Sequence, residues 1–228
     1  ERIMAIARQH DLLVIEDAAQ GIMSTYKGRS LGSIGHLGCL SFHETKNIIS
    51  GEGGALLIND PELALRAEVI RGQVDKYTWV DVGSSYLPGE LIAAFLWAQM
   101  EEADEITRRR LAIWNIYHQW LQSLEEHEKL RRPILPKECV HNAHMYYILL
   151  ASLTERTQLI AALKQHDIHS VFHYIPLHSA PAGLRYSRVH GNLSVTDDVA
   201  QRLLRLPLWL GLEAHQAGVI QKIAAALE

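Results

Sequence analysis

Apolar residues recur along this chain with two different periods. Near the start Ile3, Met4, Ile6 and Ala7 fall three and four apart, a helical spacing, and the pattern changes at Asp11. Residues 12–16 are then an apolar run that ends in an acid. Such a run predicts a parallel strand buried on both faces, with Asp17 emerging into a crevice at its carboxyl end. Polar residues and glycines predict a loop over 21–33, followed by short strands at 37–42 and 55–58. Between those two strands lies a turn that carries Lys46.

The helical period returns further on. Asp60 as N-cap, Pro61 in the first position and Gly72 at the stop predict a helix over 61–72. From 89 to 126 the apolar positions recur at three and four with little interruption, which predicts a long helix serving as a spine between domains. Arg132-Pro-Ile-Leu-Pro136 breaks that pattern. Beyond it the expected order is strand (145–151), helix (155–166), strand (170–174), a long loop to Asn192, and helices near 197–204 and 213–227. The result is an α/β chain in two parts, divided at 1–105 and 106–228, with no internal repeat.

Composition narrows the class. With 48% hydrophobic and 21% charged residues in 228, the chain can bury a core, which excludes a disordered polypeptide. Its net charge is -4, and only Arg108-Arg109-Arg110 forms a basic run, on a helical pattern that reads as a solvated face, so no nucleic-acid partner is expected. No apolar run approaches the roughly 20 residues of a membrane span, and no secretory signal pattern opens the chain. A cytoplasmic protein is expected. Cys39 and Cys139 are too few and too far apart for a disulfide framework or a zinc knuckle, so both read as free thiols.

The candidate chemistry sits around Lys46. A pyridoxal phosphate enzyme needs a lysine to hold the aldehyde as a Schiff base and a carboxylate to keep the pyridine nitrogen protonated, so that the ring can absorb electrons. Lys46 and Asp17 can fill those roles. Ala19 is small enough for a flat ring to lie against, Gln20 can reach a phenolic oxygen, and Ser41 offers a hydroxyl for phosphate. The glycines of Gly51-Glu-Gly-Gly54 let the backbone pass close to a ligand. Rival readings remain. The glycines could imitate a phosphate loop, but the Gly-Lys-Ser/Thr ending and a following helix are missing. His166, His169, His173 and His178 raise a metal site, against which they straddle a helix end, a strand and a loop without a completing cysteine or carboxylate set, so no metal is expected.

Asp17-Ala-Ala-Gln20, Ser41-Phe-His-Glu-Thr-Lys-Asn47 and Gly51-Glu-Gly-Gly54 together resemble the sugar-nucleotide aminotransferases of the DegT/DnrJ/EryC1/StrS family. Glu90-Leu-Ile-Ala-Ala94, Tyr174-Ile-Pro-Leu-His178 and Leu206-Pro-Leu-Trp-Leu-Gly211 extend the resemblance over nearly the whole chain. It implies the aspartate aminotransferase fold (fold type I), with part of a large domain built on a central mixed sheet and a small carboxyl-terminal α/β domain. It also implies pyridoxal 5'-phosphate bound by Asp17, Ala19, Gln20, Ser41 and Lys46, with Lys46 catalytic and Tyr174 and His178 touching the sugar.

Within the family the resemblance points to amino transfer from L-glutamate to dTDP-4-keto-6-deoxyglucose, for a polysaccharide of the enterobacterial common antigen kind, by a homodimer with its site at the interface. Lys46 stands where dehydrating relatives carry histidine. Ser85 stands where related enzymes present an asparagine from the partner subunit. The family's upstream phosphate-binding turn and ring-stacking aromatic are expected to precede this chain, which begins inside the fold. A non-catalytic pyridoxal fold, or a fold type I enzyme acting on amino acids, are the competing readings.

Overall fold

A computed structural model describes residues 1–71, 77, 78 and 80–227. They form two compact units, Glu1–Arg108 with Pro136–His144, and Arg109–Leu135 with Met145–Glu228. The sequence division at 105/106 did not include the return of 136–144 to the first unit.

In the first unit, helix α1 (Arg2–Gln9) leads to strand β1 (Ile15–Asp17), which is shorter than the expected 12–16 run and shifted toward its acidic end. β1 runs parallel to β4 (Leu37–Ser41), with Asp17 opposite Cys39, and β5 (Gly54–Ile58) pairs antiparallel on the other side of β4. The order β1-β4-β5 makes a mixed sheet. The expected burial of β1 on both faces is corrected: Ile15 is 63% exposed and Leu13 62%. β1 is the edge of its sheet, and among the described residues no layer covers those side chains.

Glu16 fixes the crossover. Its carboxylate accepts from the N–H groups of Gly32, Ile34 and Gly35 at 3.0, 2.5 and 2.5 Å, so the loop before β4 folds back onto β1. Two glycines make that approach possible, because a Cβ on Gly38 would lie 2.1 Å from the Gly32 carbonyl oxygen, and Gly32 itself has φ +88°.

The stretch 21–33 is more than a loop. It holds a hairpin of β2 (Thr25–Tyr26) and β3 (Arg29–Ser30), whose two central residues, Lys27 and Gly28, have φ of 50° and 76°. Both positive values belong to the turn that matches strand twist. The returning segment adds β6 (Cys139–Val140) antiparallel to β2. Asp60 caps α2 (Pro61–Arg71) through bonds from the Glu62 and Leu63 N–H groups. The stop expected at Gly72 lies outside the described residues.

The predicted 89–126 spine is three helices, α3 (Glu90–Glu101), α4 (Ala103–Trp120) and α5 (Gln122–Glu126). Apolar periodicity ran through the junctions at Glu102 and Leu121, because a one-residue break does not disturb the spacing.

In the second unit β7 (Tyr146–Leu149), β8 (Val171–Phe172) and β9 (Leu203–Leu206) form an antiparallel sheet ordered β7-β9-β8. The first two residues of β9 were read from sequence as the end of a helix over 197–204. Helices α6 (Leu153–Lys164), α8 (Ser194–Arg202) and α9 (Gln216–Leu227) accompany the sheet, and α7 (Pro181–Tyr186) interrupts the expected long loop. Ser152 caps α6 by accepting from the Glu155 N–H. The core holds Ile113, Tyr117, Ile148, Leu163, Leu204 and Ile223, all fully buried. Tyr117 keeps its hydroxyl satisfied by donating to the Pro207 carbonyl at 3.0 Å.

Candidate active site

The carboxyl ends of the parallel strands β1 and β4 lie side by side, so the residues that leave them meet at one edge of the sheet. Asp17 ends β1. Its side chain is exposed and, among the described residues, accepts the Ala19 N–H alone, at 3.2 Å, which bends the chain into a turn closed by Gly21 N–H donating to the Ala18 carbonyl. Ala18 is buried beneath that turn, Ala19 is half-buried and Gln20 is exposed. Ser41 ends β4, two residues beyond the partner of Asp17, and is half-buried, with its oxygen 3.4 Å from the His43 N–H.

Lys46 follows in a turn that is tied at several points. Phe42 N–H donates to the Gly53 carbonyl, Glu44 N–H to Gly51, Ser50 N–H to Phe42, and Lys46 N–H to His43. Gly51 and Gly53 have φ of 81° and 148°, the second of which an L side chain rarely adopts. Asn47 and Ile48, directly after the lysine, are buried and anchor the turn. The half-buried Lys46 amine has no hydrogen-bond or ion-pair partner among the described residues. His43 is absorbed by the turn itself: Nδ1 accepts from the Thr45 N–H at 3.2 Å, and Nε2 lies 3.7 Å from Glu52.

These donors fit pyridoxal phosphate. An exposed carboxylate can meet a protonated ring nitrogen, a hydroxyl can serve a phosphate, and an amine held by its backbone rather than by a partner can bond to an aldehyde.

Tyr174 and His178 lie in the second unit. Tyr174 is 74% exposed and lines a shallow pocket of about 270 Å³ with Arg156, Phe172 and Asp197. His178 Nε2 stands 3.0 Å from Asp197 Oδ1. Of the other clustered histidines, His166 and His169 line a separate cleft of about 720 Å³ with His215 and Lys222. Burial, with the Arg205 charge, lowers the pKa of His173.

Sequence reasoning missed a polar cluster beside Lys46. Asn47 Nδ2 donates to the Asn142 carbonyl at 2.7 Å, and Asn47 Oδ1 lies 3.1 Å from His144 Nδ1. Asn142 Nδ2 donates to the Gln20 and Ile22 carbonyls at 2.8 and 2.7 Å. No sequence spacing links residues 95 positions apart. The available signal was local, two histidines and an asparagine gathered just before an apolar strand.

An α/β unit that presents an acid, a hydroxyl and an amine at one sheet edge is of the kind that houses a cofactor. The DegT/DnrJ/EryC1/StrS aminotransferase family model matches residues 1–227, and the chain belongs to that family. Its fold is therefore the α/β type I fold of those aminotransferases. The chain is 33% identical over 234 residues to GDP-perosamine synthase of Caulobacter vibrioides, covering 99% of this chain and 61% of that protein.

Among solved structures, a DegT DnrJ EryC1 StrS aminotransferase from Brucella abortus superposes with TM-score 0.87 at 32% identity, over 98% of this chain and 60% of that one. DesV of S. venezuelae, solved in complex with a ketimine intermediate, gives TM-score 0.87 at 28% identity, over 99% and 61%. The chain spans about three fifths of the length of the curated relatives it matches. No helix among the described residues is long and apolar enough to cross a membrane.

Proposed function

We propose that the protein carrying this chain is a pyridoxal phosphate-dependent aminotransferase that takes an amino group from L-glutamate and delivers it to the 4-keto carbon of dTDP-4-keto-6-deoxyglucose. The observation that carries the reading is Lys46, an amine without a partner among the described residues, on a glycine-closed turn that leaves the sheet at the edge where Asp17 ends the neighbouring parallel strand. Family membership and the GDP-perosamine synthase relatives support a nucleotide-linked sugar as acceptor.

Bound pyridoxal phosphate supplies an aldehyde that carries the amino group and a ring that absorbs the electron pair released at the substrate carbon. Lys46 holds the aldehyde between turnovers. Once freed by the amino donor, its amine would be the base placed to carry the proton. Asp17 keeps the ring nitrogen protonated. Gln20 would donate to the phenolic oxygen, Ala19 would lie against the ring and Ser41 would bind phosphate. Tyr174 and His178 would, by family resemblance, contact the sugar. By family resemblance the enzyme is a cytoplasmic homodimer serving cell-surface polysaccharide synthesis of the enterobacterial common antigen kind. Exposed Ser85 then takes the place of the partner subunit's usual asparagine.

The test is amino transfer by the intact protein with pyridoxal phosphate and L-glutamate, offered dTDP-4-keto-6-deoxyglucose beside a GDP-linked 4-keto sugar and a UDP-linked 3-keto sugar. Preferential formation of the dTDP-linked 4-amino sugar supports the reading. Preference for either competitor reassigns the substrate, and turnover of none of the three removes it.

A further inference from the structure

We infer that Asn142 is a positioning residue which, through Asn47 and His144, fixes the Asp17–Gln20 turn relative to the Lys46 turn; the inference rests on Lys46 being the lysine that holds the cofactor. Asn142 is 4% exposed and Asn47 is 7% exposed, so neither amide can trade its bonds for water. Both amide hydrogens of Asn142 are used, one on the Gln20 carbonyl and one on that of Ile22, while its Oδ1 accepts from the His144 N–H at 3.0 Å. Its backbone carbonyl accepts from Asn47, the residue next to Lys46. One side chain and its own backbone therefore grip both turns.

The cluster is directional. Asn47 donates through Nδ2, which turns its Oδ1 toward His144 and requires the hydrogen of that ring to sit on Nδ1. Between Asn142 and His144, buried Ala143 adopts φ 51°, a left-handed conformation unfavourable for a residue with a Cβ. That bend aims the Asn142 carbonyl at one turn while its side chain reaches the other. Pairing of β6 with β2 delivers the segment to this place. The bridged elements are the two that carry the ring-nitrogen acid and the amine, so a shift in either alters their spacing.

The test uses the intact protein with pyridoxal phosphate. Asn142→Ala, Asn47→Ala and, as a control, Gln216→Leu in the second unit are compared for cofactor dissociation constant, for the pH midpoint of the visible band of the lysine-bound cofactor, and for the half-reaction with L-glutamate. Gln216 is buried and donates to the Ile113 carbonyl, so its loss lowers stability away from both turns. The positioning role predicts a displaced pH midpoint, weaker cofactor binding and a half-reaction slowed by about 100-fold in both asparagine variants. Gln216→Leu should lower the melting temperature and leave all three readouts unchanged.

Wild-type midpoint and rate in folded Asn142→Ala and Asn47→Ala overturn the inference. If Asn142→Ala does not fold, Asn47→Ala decides alone. A wild-type protein with no Lys46-dependent band instead overturns the functional reading, and this inference falls with it.

Discussion

Glu16 and Asp17 are adjacent acids with opposite duties. Alternation along β1 turns Glu16 into the crossover loop, where three backbone N–H groups hold its carboxylate, and leaves Asp17 exposed with one weak local bond. Glu16→Gln should cost about 1–3 kcal/mol of stability, because an amide cannot replace that acceptor set. Chemical denaturation measures it. Asp17→Asn should leave the denaturation midpoint near wild type and slow the half-reaction with L-glutamate by about 100-fold or more, because the ring nitrogen loses its ionic partner. An unchanged single-turnover rate would remove Asp17 from the site. At this scale the contiguous motifs, Asp17 to Gln20 and Ser41 to Lys46, could be read directly from the sequence as candidates. The sequence was silent on Asn142, whose partners at Gln20 and Asn47 lie 122 and 95 positions away.

Among elements, the crossover between β1 and β4 depends on bare backbone. Gly38→Ala would drive a methyl into the Gly32 carbonyl, and the strand has no room to retreat because β1 and β5 flank it. A loss of about 1–3 kcal/mol is expected, read as a lower denaturation midpoint.

A second element-scale prediction concerns acid. Arg132 on the segment after α5 donates to Glu125 from both its backbone N and Nε, and to the His118 carbonyl. Burial first, and then the Arg132 charge, lowers the His118 pKa. The folded protein thus takes up this proton less readily than the unfolded chain, so stability is fully present above about pH 6.5 and declines as pH falls toward the folded value. Burial alone would raise the Glu125 pKa, but the bonds and charge of Arg132 bring it below normal, so its contribution is lost only at more acid pH. Thermal melts at pH 7.5 and 5.5 should show a fall that His118→Gln flattens.

Short elements were the least legible. The two-residue strands β2, β3 and β6 lack any measurable alternation, and β9 follows α8 without a break in its apolar content. The strands flanking the lysine turn were read to within a residue, because glycines and charged residues bound them.

At the scale of the whole chain, periodicity yielded an α/β protein in two parts but could not show that 136–144 rejoins the first unit. A linear reading assigns contiguous stretches, whereas that return is set by β6 pairing with β2 and by the Asn142 bonds. Exposed apolar side chains gather along β1 and on α3, where Leu91 is 88% and Trp97 68% exposed. The 228 residues expressed alone should therefore bind a hydrophobic dye and self-associate. Size-exclusion chromatography with light scattering checks this, and a monomer that binds no dye would contradict it.

The central claim is that Lys46 holds pyridoxal phosphate and takes part in amino transfer. The most direct measurement is the visible spectrum of the intact protein with pyridoxal phosphate, before and after L-glutamate, beside Lys46→Ala. The expected result is a band of lysine-bound cofactor that is absent in Lys46→Ala and that L-glutamate converts to the spectrum of the aminated cofactor. A folded, cofactor-saturated protein with no Lys46-dependent band would contradict it.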